Sequence, residues 1–195
     1  GLVARDHGQP RATLTVALDT FTGRYRDYEF ANHELRLGFD GEYNDKSLTL
    51  RRAQLLARQG AESFGGVEIN GRFDRQLSQG DFTVRVENLS ESGLGPFVNP
   101  LLAPAHLLSA LVDGKGSLRM TNAVAAMTFE AELKSLRFDD PQGWLPKVPL
   151  NLQVQLAAGY QSNQLQLTEA TLALPTTPRA RNALVAQGHL DFPPR

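Results

Sequence analysis

The sequence predicts a mainly β protein: an antiparallel, curled sheet (a β-groove or half-barrel) built from two tandem repeats, with one short helix between them. Three observations support this fold class. The chain repeats itself at a long, fixed spacing, its apolar residues alternate with a period of two, and one leucine-rich segment has helical spacing instead. At 195 residues, the chain is expected to form a single β-rich domain, 1–195.

The repeat is the strongest of these signals. Residues 34–74 align without a gap onto residues 151–191 at an offset of 117, and eight of the 41 aligned positions are identical. The identical pairs are Leu35/Leu152, Tyr43/Tyr160, Leu48/Leu165, Leu50/Leu167, Ala53/Ala170, Leu55/Leu172, Gly71/Gly188 and Asp74/Asp191. Upstream, Thr13–Leu18 matches Thr128–Leu133 at an offset of 115, so a loop differs by two residues. The repeats are therefore placed at about 11–78 and 126–195.

Within each repeat the apolar residues recur at every second position, which indicates strands with one buried face. The positions assigned to one apolar face are Leu35, Leu37, Phe39, Leu48, Leu50, Val67, Ile69, Phe73, Leu152, Val154, Leu156, Leu165 and Leu167. Further strands are predicted over 82–86, 129–133 and 183–192. Hairpin turns are predicted at 44–45 and 162–163, and loops at 141–149 and 175–178.

The alternation shifts by one residue at the same place in both repeats. After Leu50 the apolar positions resume at Ala53, and after Leu167 they resume at Ala170. An inserted residue that flips the two faces is the signature of a β-bulge. We therefore expect bulges near 51–52 and 168–169.

One helix is predicted between the repeats, inside 99–112, within a helical linker at about 90–114. Pro104 suits a first helical turn, Leu107, Leu108, Leu111 and Val112 supply an apolar stripe, and Gly114 suits a C-terminal cap. The preceding segment 90–100 is rich in turn-forming residues and is predicted as a loop, with a second short helical turn over 96–102.

The composition of the chain excludes several classes of function. Twenty basic residues balance 21 acidic ones, which provides no net field for binding nucleic acid. There are no cysteines, so disulfides and thiolate chemistry are excluded. No apolar stretch approaches the roughly 18–20 residues of a membrane-spanning helix. The N-terminus does not resemble a signal peptide, and membrane attachment is expected to lie outside this chain.

Catalytic and metal-binding motifs are absent, so no enzyme activity, metal or cofactor is expected. The histidines His7, His33, His106 and His189 are scattered and are interpreted as surface or loop residues. The segment 40–44 resembles a calcium loop only faintly, and a hairpin turn is the better interpretation.

Three pairs or clusters are candidates for function. Asp74 and Asp191 are interpreted as strand-end acceptors of turn N–H groups, and Tyr43 and Tyr160 as strand-end aromatics. The basic cluster Arg51, Arg52, Arg58, Arg72 and Arg75 is interleaved with acidic residues. A solvated face explains it better than a phosphate-binding site.

Three stretches together resemble a known family. They are residues 48–55 running on to 67–74, residues 82–90, and residues 95–100; Gly188-His-Leu-Asp191 repeats the end of the first stretch. This pattern is similar to the repeat of the AsmA-like envelope proteins, which include TamB and YhdP. The YdgA-type envelope proteins are a close second resemblance.

The AsmA-like resemblance implies a periplasmic protein, anchored at the inner membrane in its full-length form and involved in lipid transport and outer membrane biogenesis. It also implies a concave apolar sheet face that carries phospholipid acyl chains, with the thirteen apolar-face residues above as its lining. The partners expected are phospholipid or acyl chains and envelope proteins. A structural or protein-docking scaffold without a ligand remains the alternative, with the apolar face closed by the helix and a second sheet.

Overall fold

The fold is taken from a computed structural model, which describes residues 2–6, 9–25, 28–122, 124–145, 147–161, 163–174 and 182–192. The chain is mainly β, as predicted, and its strands form one antiparallel sheet. The predicted loop 175–178, Ser162 of the second predicted turn, and His7 lie outside the described residues.

In the described part of the chain, eleven strands follow one another across the sheet in chain order, and each pairs with the next. Their bounds are β1 Leu2–Asp6, β2 Gln9–Tyr25, β3 Tyr28–Tyr43, β4 Ser47–Gln59, β5 Glu62–Asp74, β6 Gln79–Ser90, β7 His106–Thr121, β8 Val124–Asp139, β9 Leu150–Gln161, β10 Gln164–Ala173 and β11 Ala183–Asp191. One helix, α1, spans Glu91–Leu102 between β6 and β7. Among the described residues β1 and β11 are the two edges of the sheet, so it stays open.

The strand registers correspond at the same offset as the sequence repeat. Leu48 lies opposite Phe73, and Leu165 lies opposite Leu190 at the same 117-residue offset. The equivalence continues upstream, because Val16 faces Leu37 as Ala131 faces Val154. Strands β2–β5 and β8–β11 are therefore two copies of one four-stranded unit.

Both predicted bulges are present. The register between β4 and β5 shifts between Leu50 and Ala53, and that between β10 and β11 shifts between Leu167 and Ala170. Each bulge inserts one extra residue on one strand, which reverses the alternation of the side chains after it. The leucines before the bulge and the alanine and leucine after it thereby stay on one side of the sheet.

The helix prediction was wrong in position. Residues 106–112 belong to β7, while the segment 91–102 forms α1. The second short turn predicted over 96–102 lies within α1, whereas residues 91–95, predicted as a loop, are helical as well. In β7 the register shifts twice, between Leu107 and Ser109 and again between Ser109 and Leu111. These irregularities spread the leucines to a spacing that imitates a helical stripe. Pairing of β7 with both β6 and β8 then outweighs local preference.

Helix α1 carries an apolar stripe, which is hard to recognise in the sequence because the segment is rich in turn-forming residues. Leu94, Val98 and Leu102 recur four residues apart and pack against a small core made of Leu107, Ala110 and Leu136. Gly93 allows this close approach, since a Cβ there would lie 3.1 Å from the carbonyl oxygen of Phe64. A glycine at this position therefore reflects helix–sheet contact.

Two glycines at equivalent places in the repeat give a test of the sheet. A Cβ on Gly71 would lie 2.4 Å from the carbonyl oxygen of Asp81 in β6, whereas Gly188 in β11 has nothing within 4 Å. We expect Gly71→Ala to lower the free energy of unfolding by about 1–3 kcal/mol, and Gly188→Ala to change it little. Urea denaturation of both variants measures this, and equal effects would contradict the placement of β11 at an edge.

Candidate functional site

The dominant surface feature is one apolar face that runs across ten strands. Directly opposed residues share a face, so the registers can be followed from strand to strand. One unbroken row contains Leu14, Phe39, Ala53, Ile69, Val84, Gly116, Phe129, Leu156, Ala170 and Ala186. A second contains Val16, Leu37, Leu55, Val67, Val86, Gly114, Ala131, Val154, Leu172 and Leu184. Neither row includes a polar side chain.

Two further rows extend this apolar face. One contains Ala12, Gly41, Leu50, Gly71, Phe82, Leu118, Met127, Ala158, Leu167 and Gly188. The other contains Tyr43, Leu48, Phe73, Gly80, Met120, Ala125, Tyr160, Leu165 and Leu190. Eleven of the thirteen residues that the sequence assigned to one apolar face lie in these four rows, and Leu35 and Leu152 lie next to Leu37 and Val154 on the same side of the sheet. Sequence analysis left out every row residue that β2, β6–β8 and β11 contribute.

Much of the apolar face is open to solvent. Leu18 is 51% exposed near one end of the sheet and Leu184 is 67% exposed near the other. The total accessible surface is 13571 Å², whereas a compact monomer of this mass exposes about 9,100 Å². Helix α1 covers the face where several central strands end, and its stripe packs near Leu133 and Leu152 there. No other described element covers the rest of the face, which is a single layer.

The opposite face is polar and carries several ion pairs. Arg11 binds Asp40 through two hydrogen bonds of 3.1 and 2.8 Å, and Arg52 donates to Glu68 at 2.8 Å. Arg119 donates to Asp81 at 2.8 Å. Exposed pairs of this kind contribute little stability each. Their main effect is to keep this face hydrated.

Four members of the arginine cluster belong to this polar face, whereas Arg75 lies in the turn after β5 and contacts Tyr43. Arg51 pairs with Glu42, Arg52 with Glu68, and Arg58 with Glu34. These carboxylates already neutralise the guanidinium groups. The arrangement is a solvated charge network.

A groove of about 1180 Å³ lies on the polar face, between β5 and β9. Its charged lining side chains are Glu68, Arg85, Glu87, Asp113, Lys115, Glu130 and Glu132. Five carboxylates against two cations leave the lining acidic. The resemblance implied a concave apolar face, but this groove is concave on the polar side. Sequence analysis did not single out these residues, although each alternates with an apolar-face position.

Asp113 ties three strands together at the rim of the groove. One oxygen of its carboxylate accepts the backbone N–H of Asn88 in β6 at 2.9 Å, and the other accepts from Lys134 Nζ in β8 at 3.1 Å. Asn88 has a positive φ of 50° at the irregularity between Val86 and Leu89. The Asn88 N–H, followed by Lys134, holds the pKa of Asp113 below its ordinary value.

The paired aspartates and tyrosines serve as strand-end residues. Asp74 Oδ1 accepts the turn N–H groups of Gln76 and Leu77 at 2.9 and 3.0 Å, as expected. Asp191 instead accepts from Gln164 Nε2 at 2.7 Å. The guanidinium of Arg75 lies 5.3 Å from the ring centre of Tyr43. Asp74 and Asp191 sit in strands far apart in the sheet, and the structure does not bring them together.

Other candidate sites are accounted for by local structure. Asp40 pairs with Arg11, and Asn44 Oδ1 accepts the N–H groups of Lys46 and Ser47, so the segment 40–44 forms a hairpin end. His33 was expected at the surface but is buried, with its ring 5.2 Å from that of Phe64. Across the described ranges, no group of three or more His, Asp or Glu side chains could hold a metal ion.

No helix in the described part of the chain has the length and apolar character needed to cross a membrane.

The bridge made by Asp113 gives a pH-dependent prediction. Asp113→Ala is expected to lower the free energy of unfolding by about 1 kcal/mol at pH 7. A carboxyl whose pKa is lowered on folding stabilises above its unfolded value of 3.8 and loses that effect as pH falls through the folded pKa. The penalty should therefore be smaller at pH 2 than at pH 7. Urea midpoints at both pH values, with the exposed turn variant Asp45→Ala as control, test this.

A pH-independent penalty for Asp113→Ala, equal at pH 7 and pH 2, would show that packing rather than the ionised carboxylate matters there.

Comparison with known proteins adds no relative: no family model, no curated protein and no solved structure matches this chain.

Proposed function

We propose that this chain is a non-enzymatic β-scaffold whose apolar face binds acyl chains, as a phospholipid-binding segment of the cell envelope. The observation that carries the proposal is the uncovered apolar face, four aligned rows deep and up to ten strands wide. Such a face needs a partner, because monomeric soluble proteins rarely expose contiguous apolar patches above several hundred Å². An acyl chain is a partner that needs no hydrogen bonds.

The rows suit a flexible hydrocarbon chain. Phenylalanine rings lie over the glycines at 41, 71, 114 and 116, so these positions do not open pockets and the face is a continuous hydrocarbon surface. Each methylene buried against it contributes roughly 0.8 kcal/mol. Binding spread along a row would therefore accumulate over the length of an acyl chain without one specific pocket.

The polar face supports the same assignment. Its ion pairs and acidic groove keep one side of the sheet in water, so acyl chains are directed to the other side. A one-layered sheet with two such different faces is suited to an interface between lipid and water. The periplasmic location and the lipid-transport role implied by the AsmA-like resemblance belong to this proposal.

A protein-docking scaffold is the second candidate. The central part of the face, including Val84, Val86 and Ile69, is only partly exposed and regularly spaced. A second sheet could pack on it at the usual separation of about 10 Å. In that case, the apolar face would be covered by protein rather than lipid.

Paired substitutions on one strand distinguish these functions. Leu165 on the apolar face is 39% exposed, and Gln166 is its exposed neighbour on the polar face. We expect Leu165→Asp to fold, because its carboxylate can reach water, and to reduce uptake of a fluorescent fatty-acyl probe severalfold. Gln166→Asp should leave uptake unchanged. The measurements are probe fluorescence titrations and thermal unfolding of all three proteins.

Leu50→Asp extends the test to the interior of the sheet. Leu50 lies between Gly41 and Gly71, so an open face should let the charge reach water and preserve folding. In a closed scaffold the same change buries an unpaired carboxylate and costs several kcal/mol. A variant that unfolds, together with a wild type that takes up no probe and yields no lipid on organic extraction, would favour the protein-docking scaffold.

A further inference from the structure

The pairing of β5 with β6 indicates what kind of strand fits the free edge of β11. Strand β11 is the repeat equivalent of β5, with the same register to its preceding strand and the same bulge there. In the first unit, β5 continues the sheet by pairing with β6. Among the described residues nothing pairs with the other side of β11, and all nine of its residues are exposed.

We propose that the outer edge of β11 is a binding site for an extended segment of a partner protein that adds to the sheet as an antiparallel strand with the side-chain pattern of β6. In β6 that pattern places Gly80 opposite Phe73, Phe82 opposite Gly71, and Val84 and Val86 opposite Ile69 and Val67. The equivalent positions of β11 are Leu190, Gly188, Ala186 and Leu184. The partner segment would therefore carry an aromatic residue opposite Gly188 and aliphatic residues opposite Ala186 and Leu184.

The open space above Gly188 indicates which side chain the partner strand carries opposite it. Its equivalent, Gly71, is required by β6, because a Cβ there would lie 2.4 Å from the carbonyl oxygen of Asp81 and 2.5 Å from Phe82 Cδ1. Gly188 faces open space, with no atom within 4 Å of where its Cβ would lie. Its φ is not in the left-handed region, so the backbone does not demand glycine either. The space above Gly188 matches the one that Phe82 occupies above Gly71.

The outward-pointing backbone N–H and C=O groups of β11 can pair with an added strand. Asn182 accepts the N–H of Leu174 at 2.9 Å, and Phe192 donates to the carbonyl of Asn163 at 2.8 Å. Because the direction of backbone groups alternates along a strand, the even-numbered residues bond towards β10. The odd-numbered residues Val185, Gln187 and His189 then point their N–H and C=O groups outward. These unpaired groups form the template for β-strand addition.

The test uses a fluorescently labelled peptide with the sequence of Gln79–Ser90 and the intact chain. We expect saturable binding in fluorescence anisotropy, which a Phe82→Ala peptide and a peptide of scrambled order lose. Gly188→Val in the protein should leave thermal stability unchanged but weaken peptide binding about tenfold or more, because its side chain meets the added backbone. Gln187→Pro, which removes an outward N–H, should weaken binding relative to Gln187→Ala.

Three outcomes would overturn the proposal. The first is no binding of the peptide with the β6 sequence. The second is equal binding to wild type and Gly188→Val, which would place the peptide elsewhere. The third is a dimer in sedimentation velocity that Gln187→Pro dissociates, because a second copy would then occupy the β11 edge. Stability of Gly188→Val, measured in parallel, ensures that weaker binding is not mistaken for unfolding.

Discussion

The structure depends on cross-strand alignment of its apolar residues. In a single-layered sheet no second layer corrects an error, so a slip of one residue would move a whole strand of leucines to the charged face. The bulges after Leu50 and Leu167 show how the chain prevents such slips. Each lengthens one strand where the alternation would otherwise lose phase. Register, rather than a deep core, is what defines this fold, and only six hydrophobic residues are buried in the described part of the chain.

Most of the strands could be predicted because alternation is a local property of the sequence. The bulges could be predicted because two copies of the same shift support each other. Only the short turn over 96–102 was placed within the helix, and the main helix was misplaced for opposite reasons in two adjacent segments. Irregular pairing around Ser109 gave β7 a helix-like spacing, while Gly93 and the prolines of α1 concealed the stripe of Leu94, Val98 and Leu102. Both depend on contacts with other strands, which a single segment does not reveal.

The apolar face was also predictable in part. Its residues in the two repeats were recognised because each had a partner 117 positions away. The rows through β6 to β8, and the polar groove beneath them, depend on which strands become neighbours. The register that brings Glu68, Arg85, Lys115 and Glu130 into one line spans more than sixty residues. The burial of His33 against Phe64 depends on a contact between β3 and β5 in the same way.

The order of the strands has a consequence for how the molecule gains and loses structure. Every strand pairs only with those next to it in the chain, so each added hairpin forms across a connection of at most ten residues (140–149) or, once, across a segment that contains a single helix. Cooperativity in such an array passes from neighbour to neighbour, as in solenoid proteins. Fraying should begin at the two edge strands, β1 and β11, and progress inward, while the strands around α1 retain the slowest amide exchange. Strands can thus be added or lost at the edges of the sheet without changing how its central strands pair.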